Sequence, residues 1–354
     1  MDKIAIIGTT SWGISIGIIL AQKGSEVRLW ARTEREAAEL RNNGPNSIQF
    51  PGVTFPTQLH VTSRMDEALD DVKAVILAIP SQTVRENIER VKSHLTKSML
   101  VISAAKGLEI GSSKRMSQVI SEEVDPRFKA NICVISGPNL SREVMQNLPA
   151  ATVAAAEDGN VARKVQKLLT TPNFCVFTNT DVVGVELGGA LKNIIALGAG
   201  LADGLGYGDN TKAAFMTRGL TEITALGVAL GANPLTFSGL AGLGDVIATC
   251  SSPLSRNHYV GEELAKGERS LTEIIDSMTE VAEGVSTTLA VHNLAHQLGL
   301  EMPITEKIYQ ILFEDAEPRQ AALSLMQGNV RHELSGRKWR LVSLFRRRRP
   351  PRSA

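Results

Sequence analysis

The first half of the chain alternates short apolar runs with segments of helical periodicity. Lys3–Ile7 is an apolar run, Ser11–Lys23 has helical spacing, Glu26–Trp30 reads as a second strand and Glu34–Asn43 as a second helix. Lys73–Ile79, a helix after Pro80, Met99–Ser103 and Asn131–Ser136 continue the series. Strands interleaved with helices imply βαβ units and a mostly parallel, doubly wound sheet. Right-handed crossovers line up the carboxyl ends of its strands along one edge. Beyond about Asp181 the pattern becomes one of long Ala/Leu/Gly-rich helices, Val182–Ala202, Thr211–Leu230 and Val285–Leu298, joined by glycine-rich connections at 198–208 and 239–245. The expected fold is α/β, with a doubly wound sheet over residues 1–185 and an all-α domain over 186–337.

Composition adds boundaries to this picture. An apolar share of 43% with 21% charged residues suits a globular protein and excludes a mainly disordered one. The opening run is too short for a signal-peptide core, and Glu186 and Lys192 interrupt the most apolar candidate for a membrane span, around residues 182–202. Cys133, Cys175 and Cys250 are far apart and form no CxxC pair, which predicts reduced thiols, a cytoplasmic protein and no metal. His292 and His296 lie four apart but lack the glutamate of a zincin motif and read as solvent-facing. The net charge of +1 conceals eight basic residues from Arg337 onward with no acid among them; without that tail it becomes −7. An acidic body argues against nucleic-acid binding. The stretch 338–354 reads as a disordered tail, its mix of arginines and apolar residues suited to weak contact with an anionic membrane.

The chemistry clusters at the predicted strand ends. The first strand runs into Gly8-Thr9-Thr10-Ser11-Trp12-Gly13, a glycine-rich turn opening a helix, where backbone N–H groups and the helix end can face a pyrophosphate. This is the Rossmann arrangement, although Thr10 replaces the second glycine of G-x-G-x-x-G. At the end of the second strand Arg32 stands where an acid usually reads a ribose hydroxyl, favouring NADPH over NADH, with Glu34 as an acid that could still reach a ribose. Lys106, after the strand Met99–Ser103, can anchor an anionic or carbonyl group. Lys192 interrupts the apolar segment 187–196, and a desolvated ammonium with a lowered pKa suits proton transfer. Asp245 ends a glycine-rich loop, and the Arg256-Asn257 pair in a following loop can grip a phosphate.

Taken together these residues resemble the bacterial type of NAD(P)-dependent glycerol-3-phosphate dehydrogenase, over nearly the whole chain. The likeness rests on Ser11-Trp12-Gly13, Ala105-Lys106-Gly107-Leu108, Gly137-Pro138 with Arg142-Glu143-Val144, and Leu191-Lys192-Asn193. Residues 204–212, Gly242-Leu-Gly-Asp245, Ser252–Asn257 and Val281-Ala-Glu-Gly284 extend it. The resemblance implies reversible reduction of dihydroxyacetone phosphate to sn-glycerol 3-phosphate for phospholipid synthesis, by a homodimer. It implies that Ser11, Trp12, Arg32, Ser141, Val281 and Glu283 contact the cofactor, and Lys106 and Arg256 both cofactor and substrate. Gly137, Asn139, Asn193, Asp245, Thr249, Ser255 and Asn257 would surround the substrate, with Lys192 as proton donor. Three positions depart from the family pattern: Thr10 for glycine, Asn139 for Ser or Thr, and Ser141 for Ala. Thr10 is expected to push the pyrophosphate outward and weaken cofactor binding, whereas Asn139 keeps a hydrogen-bonding side chain for the substrate. A hydroxy-acid dehydrogenase or a non-catalytic dinucleotide sensor are the competing readings.

Overall fold

A computed structural model describes residues 2–45 and 50–327. The basic tail and its membrane contact lie outside the described residues. Eight strands form one sheet: β1 (Lys3–Ile7), β2 (Glu26–Trp30), β3 (Leu59–Thr62), β4 (Ala74–Leu77), β5 (Leu100–Ser103), β6 (Ile132–Ser136), β7 (Ala150–Ala155) and β8 (Phe174–Asn179). Their order is β3-β2-β1-β4-β5-β6-β7-β8, parallel throughout except for the antiparallel β6–β7 pair. The order reverses between β1 and β4, the switch point where open α/β sheets bind ligands outside their strands' carboxyl ends. One apolar layer under helix Ser11–Gln22 covers one face, and a second layer, containing Val84, Ile88 and Val119, covers the other.

Three strands have no counterpart in the sequence pattern. β3 has only four residues, β7 is largely alanine, and β8 mixes exposed with buried positions. β7 is a strand through pairing with its neighbours in spite of its alanines, whereas β8 carries the aromatic and β-branched residues that favour strands.

Helix Val182–Gly204 forms the axis of the second half. Asp181 caps it through Gly184 N–H, 2.9 Å away, and also holds Thr236 Oγ1 at 2.7 Å. The expected boundary at 185/186 therefore cuts through a continuous helix. Contrary to the sequence reading, this helix is long and apolar enough to cross a membrane, yet 83% of its most apolar window is buried inside the fold. Its interrupting charges are both paired: Glu186 accepts from Arg115 and from Ser117 N–H of the sheet domain, and Lys192 serves the site described next. Gly188 and Gly189 permit close contact here, since a Cβ on them would lie 2.4 Å from Ala241 O and 2.1 Å from Ser136 Oγ. His292, expected to face solvent, is instead largely buried, its ring stacked on Tyr309 at 3.6 Å between centroids.

Candidate active site

A cleft of ≈ 860 Å³ runs along the carboxyl edge of the sheet between the two halves. Its floor is an ion cluster. Asp245, 1% exposed, receives Lys106 on Oδ2 at 2.7 Å and Lys192 on Oδ1. Lys106 also donates to Gly137 O at 2.8 Å, and Lys192 to Thr249 Oγ1 at 2.6 Å. The local sequence explains the convergence. The glycine-rich connection 239–245 is not a loop but a π-helical turn, Leu240–Gly244, running straight into helix Asp245–Ser251. Asp245 thus opens a helix and Thr249 sits one turn further on the same face. π turns often mark functional positions. Lys192 projects from the middle of helix Val182–Gly204.

Burial pushes the Lys192 ammonium down to about 8, against the opposing pull of Asp245 and with help from neighbouring Lys106. An unpaired charge here would cost several kcal/mol, so the shared carboxylate is what keeps two lysines at this depth. Buried Cys250 is pushed up to about 12 by desolvation and stays a thiol.

The wall on the helical side carries Ser255, Arg256 and Asn257. They do not form a loop, as expected from the sequence, but the N-cap and first turn of helix Arg256–Lys266, with Ser255 Oγ accepting from His258 N–H at 3.2 Å. The anion-attracting end of that helix therefore borders the cleft. Asn257 receives Gly284 N–H at 2.8 Å and donates to Asn193 Oδ1 at 3.0 Å. Asn193 Nδ2 is left unbonded among the described residues, at the cleft lining.

The mouth at the switch point is built by the turn after β1. Gly8 has φ +110°, and a Cβ on it would meet Ala78 O at 2.6 Å; one on Gly13 would meet Gly8 O at 2.4 Å. Thr10 has an extended conformation, φ −61°, that needs no glycine. Its hydroxyl donates to Ala78 O at 2.7 Å and accepts from Gly13 N–H at 3.1 Å, capping helix Ser11–Gln22. Thr10 is thus a helix cap whose polar atom serves the protein. Trp12 lines the same wall, its ring 6.0 Å from that of Phe174.

Two carboxylates that sequence reasoning missed occupy this mouth. Glu280 Oε1 accepts Ser11 N–H at 3.0 Å and Ser11 Oγ at 2.5 Å, while its other oxygen lies 3.6 Å from Arg256. Arg256 also donates to Val281 O at 3.0 Å. Glu36 accepts from Thr9 Oγ1 and, at 3.1 Å, from Arg32 N–H. Glu34, the acid singled out from sequence, is held by Arg41 and Ser63 and does not line the cleft. Glu36 is the acid beside Arg32 there. The Arg32 guanidinium is exposed and makes no hydrogen bond or ion pair among the described residues.

Glu283 lines the cleft, but its carboxylate is engaged by Ser81, whose N–H lies 2.8 Å away. Burial raises its pKa, and the contact ties the helical half to the loop after β4. Asn139 also lines the cleft, yet its amide is spent inside the protein: Nδ2 donates to Ala151 O at 3.2 Å and Oδ1 accepts from Thr152 at 2.8 Å. The substrate contact expected of it is not available in this arrangement. Ser141 and Val281 complete the lining. Ser11, Gly137 and Asp245 stand just behind it, each bonded to a residue that does line it. The mouth fits a dinucleotide pyrophosphate on one direct observation: its helix-end donors already hold an anionic oxygen, that of Glu280.

Known proteins match the chain over nearly its whole length. Residues 3–162 match the NAD-dependent glycerol-3-phosphate dehydrogenase N-terminus model, and residues 181–323 match the C-terminus model. Glycerol-3-phosphate dehydrogenase [NAD(P)+] of Dehalococcoides mccartyi is 59% identical over 99% of this chain and 97% of its own length. The protein of that name from Citrifermentans bemidjiense is 46% identical over 94% and 99%. The crystal structure of glycerol-3-phosphate dehydrogenase from Coxiella burnetii superposes with a TM-score of 0.87 at 35% identity, covering 92% of this chain and 99% of that one. The chain belongs to the NAD-dependent glycerol-3-phosphate dehydrogenase family.

Proposed function

We propose that the chain catalyses the reversible NAD(P)H-dependent reduction of dihydroxyacetone phosphate to sn-glycerol 3-phosphate. The observation that carries this reading is the pair of lysines on one buried aspartate, at the floor of a cleft lying at the switch point of a dinucleotide-binding sheet. The reduced nicotinamide supplies the hydride. Lys192 gives its proton to the ketone oxygen, and in the reverse direction takes it from the hydroxyl; an ammonium titrating near 8 suits both. Lys106, held in place by Gly137 O and Asp245, faces the developing oxyanion as a fixed cation. Thr249 orients the Lys192 ammonium from the other side. The phosphate is gripped by Arg256 and by the end of the helix that Ser255 caps, and Asn193 Nδ2 supplies a further donor that Asn257 holds in position.

On the cofactor side Ser11 and Trp12 meet the pyrophosphate at the helix end, and Ser141, Val281 and Glu283 border its path. The Arg32 guanidinium, unpaired among the described residues, favours a 2′-phosphate, hence NADPH, while Glu36 beside it can accept from a ribose hydroxyl and keeps NADH as a substrate. The product is the backbone precursor of glycerophospholipids, so the reaction feeds their synthesis. The three free cysteines suit a reducing cytoplasm, and a homodimer follows from the family resemblance, to be read by sedimentation velocity. The decisive assay follows nicotinamide absorbance with dihydroxyacetone phosphate and either cofactor. Substrate-dependent oxidation that disappears in Lys192→Ala supports the reading, and folded wild-type protein that turns over with neither cofactor overturns it.

A further inference from the structure

Away from the cleft, helix Glu283–Leu298 packs on helix Pro303–Phe313, and three ligand-type side chains meet between them. His292 and His296 are one turn apart on the first helix, so both rings reach the same side. The acid missing from their own segment comes from the second helix. Glu306 Oε2 lies 3.1 Å from His292 Nδ1 and 3.5 Å from His296 Nε2, and the three atoms all fall within 4.8 Å of one another. A tetrahedral zinc ion with bonds of ~2.0–2.2 Å separates its ligand atoms by roughly 3.3–3.5 Å. The 3.5 Å separation lies in that range and the 3.1 Å separation lies about 0.2 Å below it.

The surroundings hold these atoms as an outer shell holds metal ligands. Glu306 keeps Oε2 toward the histidines because its other oxygen accepts from Gln310 Nε2 at 3.1 Å, and Gln310 in turn receives Lys307 at 2.9 Å. The His292 ring is clamped on Tyr309, nearly parallel at 5°, with the edge of His296 against it at 4.4 Å. The helix bearing Glu306 is itself fixed, since buried Glu222 accepts Ile304 N–H and Thr305 N–H at 2.9 and 2.8 Å. His292 Nδ1 is buried, and despite its nearness to Glu306 it has no aligned hydrogen-bond partner among the described residues. A buried ring nitrogen without a partner, in contact range of a carboxylate and a second imidazole, is the kind of group an ion satisfies.

We propose that His292, His296 and Glu306 form a site for a divalent transition metal, zinc by ligand type, that clamps helix Glu283–Leu298 to helix Pro303–Phe313. Two neutral imidazoles and one carboxylate suit zinc in preference to calcium or magnesium, which take oxygen ligands. Three protein ligands leave a fourth position for water. None of the three residues lines the cleft, and His292 stands nine residues, roughly 13 Å of helix, beyond Glu283, so the metal's role is to hold the helices.

The test is calorimetric titration of chelator-treated full-length protein with zinc chloride, beside thermal melts with and without the ion. The wild type is expected to take up one Zn²⁺ per chain and to melt several degrees higher with it, because an ion that binds only the folded state stabilises it. His296→Ala, which removes an exposed ring and leaves His292 stacked on Tyr309, should weaken binding at least tenfold and abolish the melting shift while kcat stays unchanged. Glu306→Gln should weaken binding likewise with its shape preserved. Absence of uptake by the wild type overturns the proposal, as does uptake that both variants retain at wild-type affinity.

Discussion

The floor and the mouth of the cleft solve the problem of polar groups at a binding site in opposite ways. At the floor Lys106, Lys192 and Asp245 are withdrawn from water and satisfied by one another. At the mouth the donors of the helix end and the backbone of Arg32 hold two carboxylates of the protein itself, Glu280 and Glu36. The floor is therefore organised before any substrate arrives, and its electrostatics act without rearrangement. Binding at the mouth exchanges one anion for another, so part of the affinity for a pyrophosphate goes into displacing Glu280. The lesson is that substitutions at the floor should alter turnover, and those at the mouth should alter apparent cofactor affinity.

Lys192→Ala gives the largest effect. Removing the proton donor is expected to lower kcat by about 10³-fold, within the range for general acid–base groups, with the KM for cofactor nearly unchanged; a loss below tenfold in steady-state assays would make Lys192 a structural ion. Asp245→Asn comes next, because it leaves two ammonium groups together without a counter-charge. The cost of breaking such a buried cluster is about 3–5 kcal/mol, readable in urea unfolding, and lost attraction should move the fall-off in activity to lower pH. The wild-type pH profile is a milder perturbation. Burial holds Lys192 near 8; reduction needs the ammonium, so its kcat should be flat below that pH and fall above it. Oxidation needs the free amine and should rise through the same pH. A reduction rate that rises there would reverse the assigned role.

How much was legible in advance follows the same division. β1, β2 and helix Glu34–Asn43 are written in local apolar patterns and stand at the expected residues. Lys192 betrayed itself as a charge inside an apolar helix, and Lys106 by following a strand. The mouth was harder, since Glu280 meets Ser11 across 269 positions and nothing around it in sequence marks a partner. Ser255 at the head of a helical segment was a usable N-cap signal that the loop reading of Arg256-Asn257 passed over. β3 and β7 are too short or too rich in alanine to be seen without the neighbours they pair with. His292 and His296 were visible as a spacing, but Glu306 belongs to another helix.

Glu280→Gln sharpens the contrast at the mouth. The amide keeps the shape and loses the charge that competes for Ser11 N–H, Ser11 Oγ and Arg256. The KM for NADPH should fall about three- to fivefold, a change of roughly 0.6–1 kcal/mol at the upper end of the range for ion pairs open to solvent, with kcat unaltered. An unchanged KM in initial-rate measurements would mean that displacement of Glu280 costs nothing.

Thr10→Gly has the smallest expected effect and separates two explanations of cofactor affinity. Measured against the glycine of the family pattern, Thr10 looks like an obstruction to the pyrophosphate. Its conformation is one that any residue adopts, and its hydroxyl is occupied by Ala78 O and Gly13 N–H. Replacement by glycine frees the Gly13 donor but removes a helix cap, a loss of under about 1 kcal/mol. These act in opposite directions, so the KM for cofactor should stay within about twofold and the melting temperature should drop slightly. A tenfold fall in KM would place the barrier in the Thr10 side chain, and the anion exchange at Glu280 would then no longer be needed to describe the mouth.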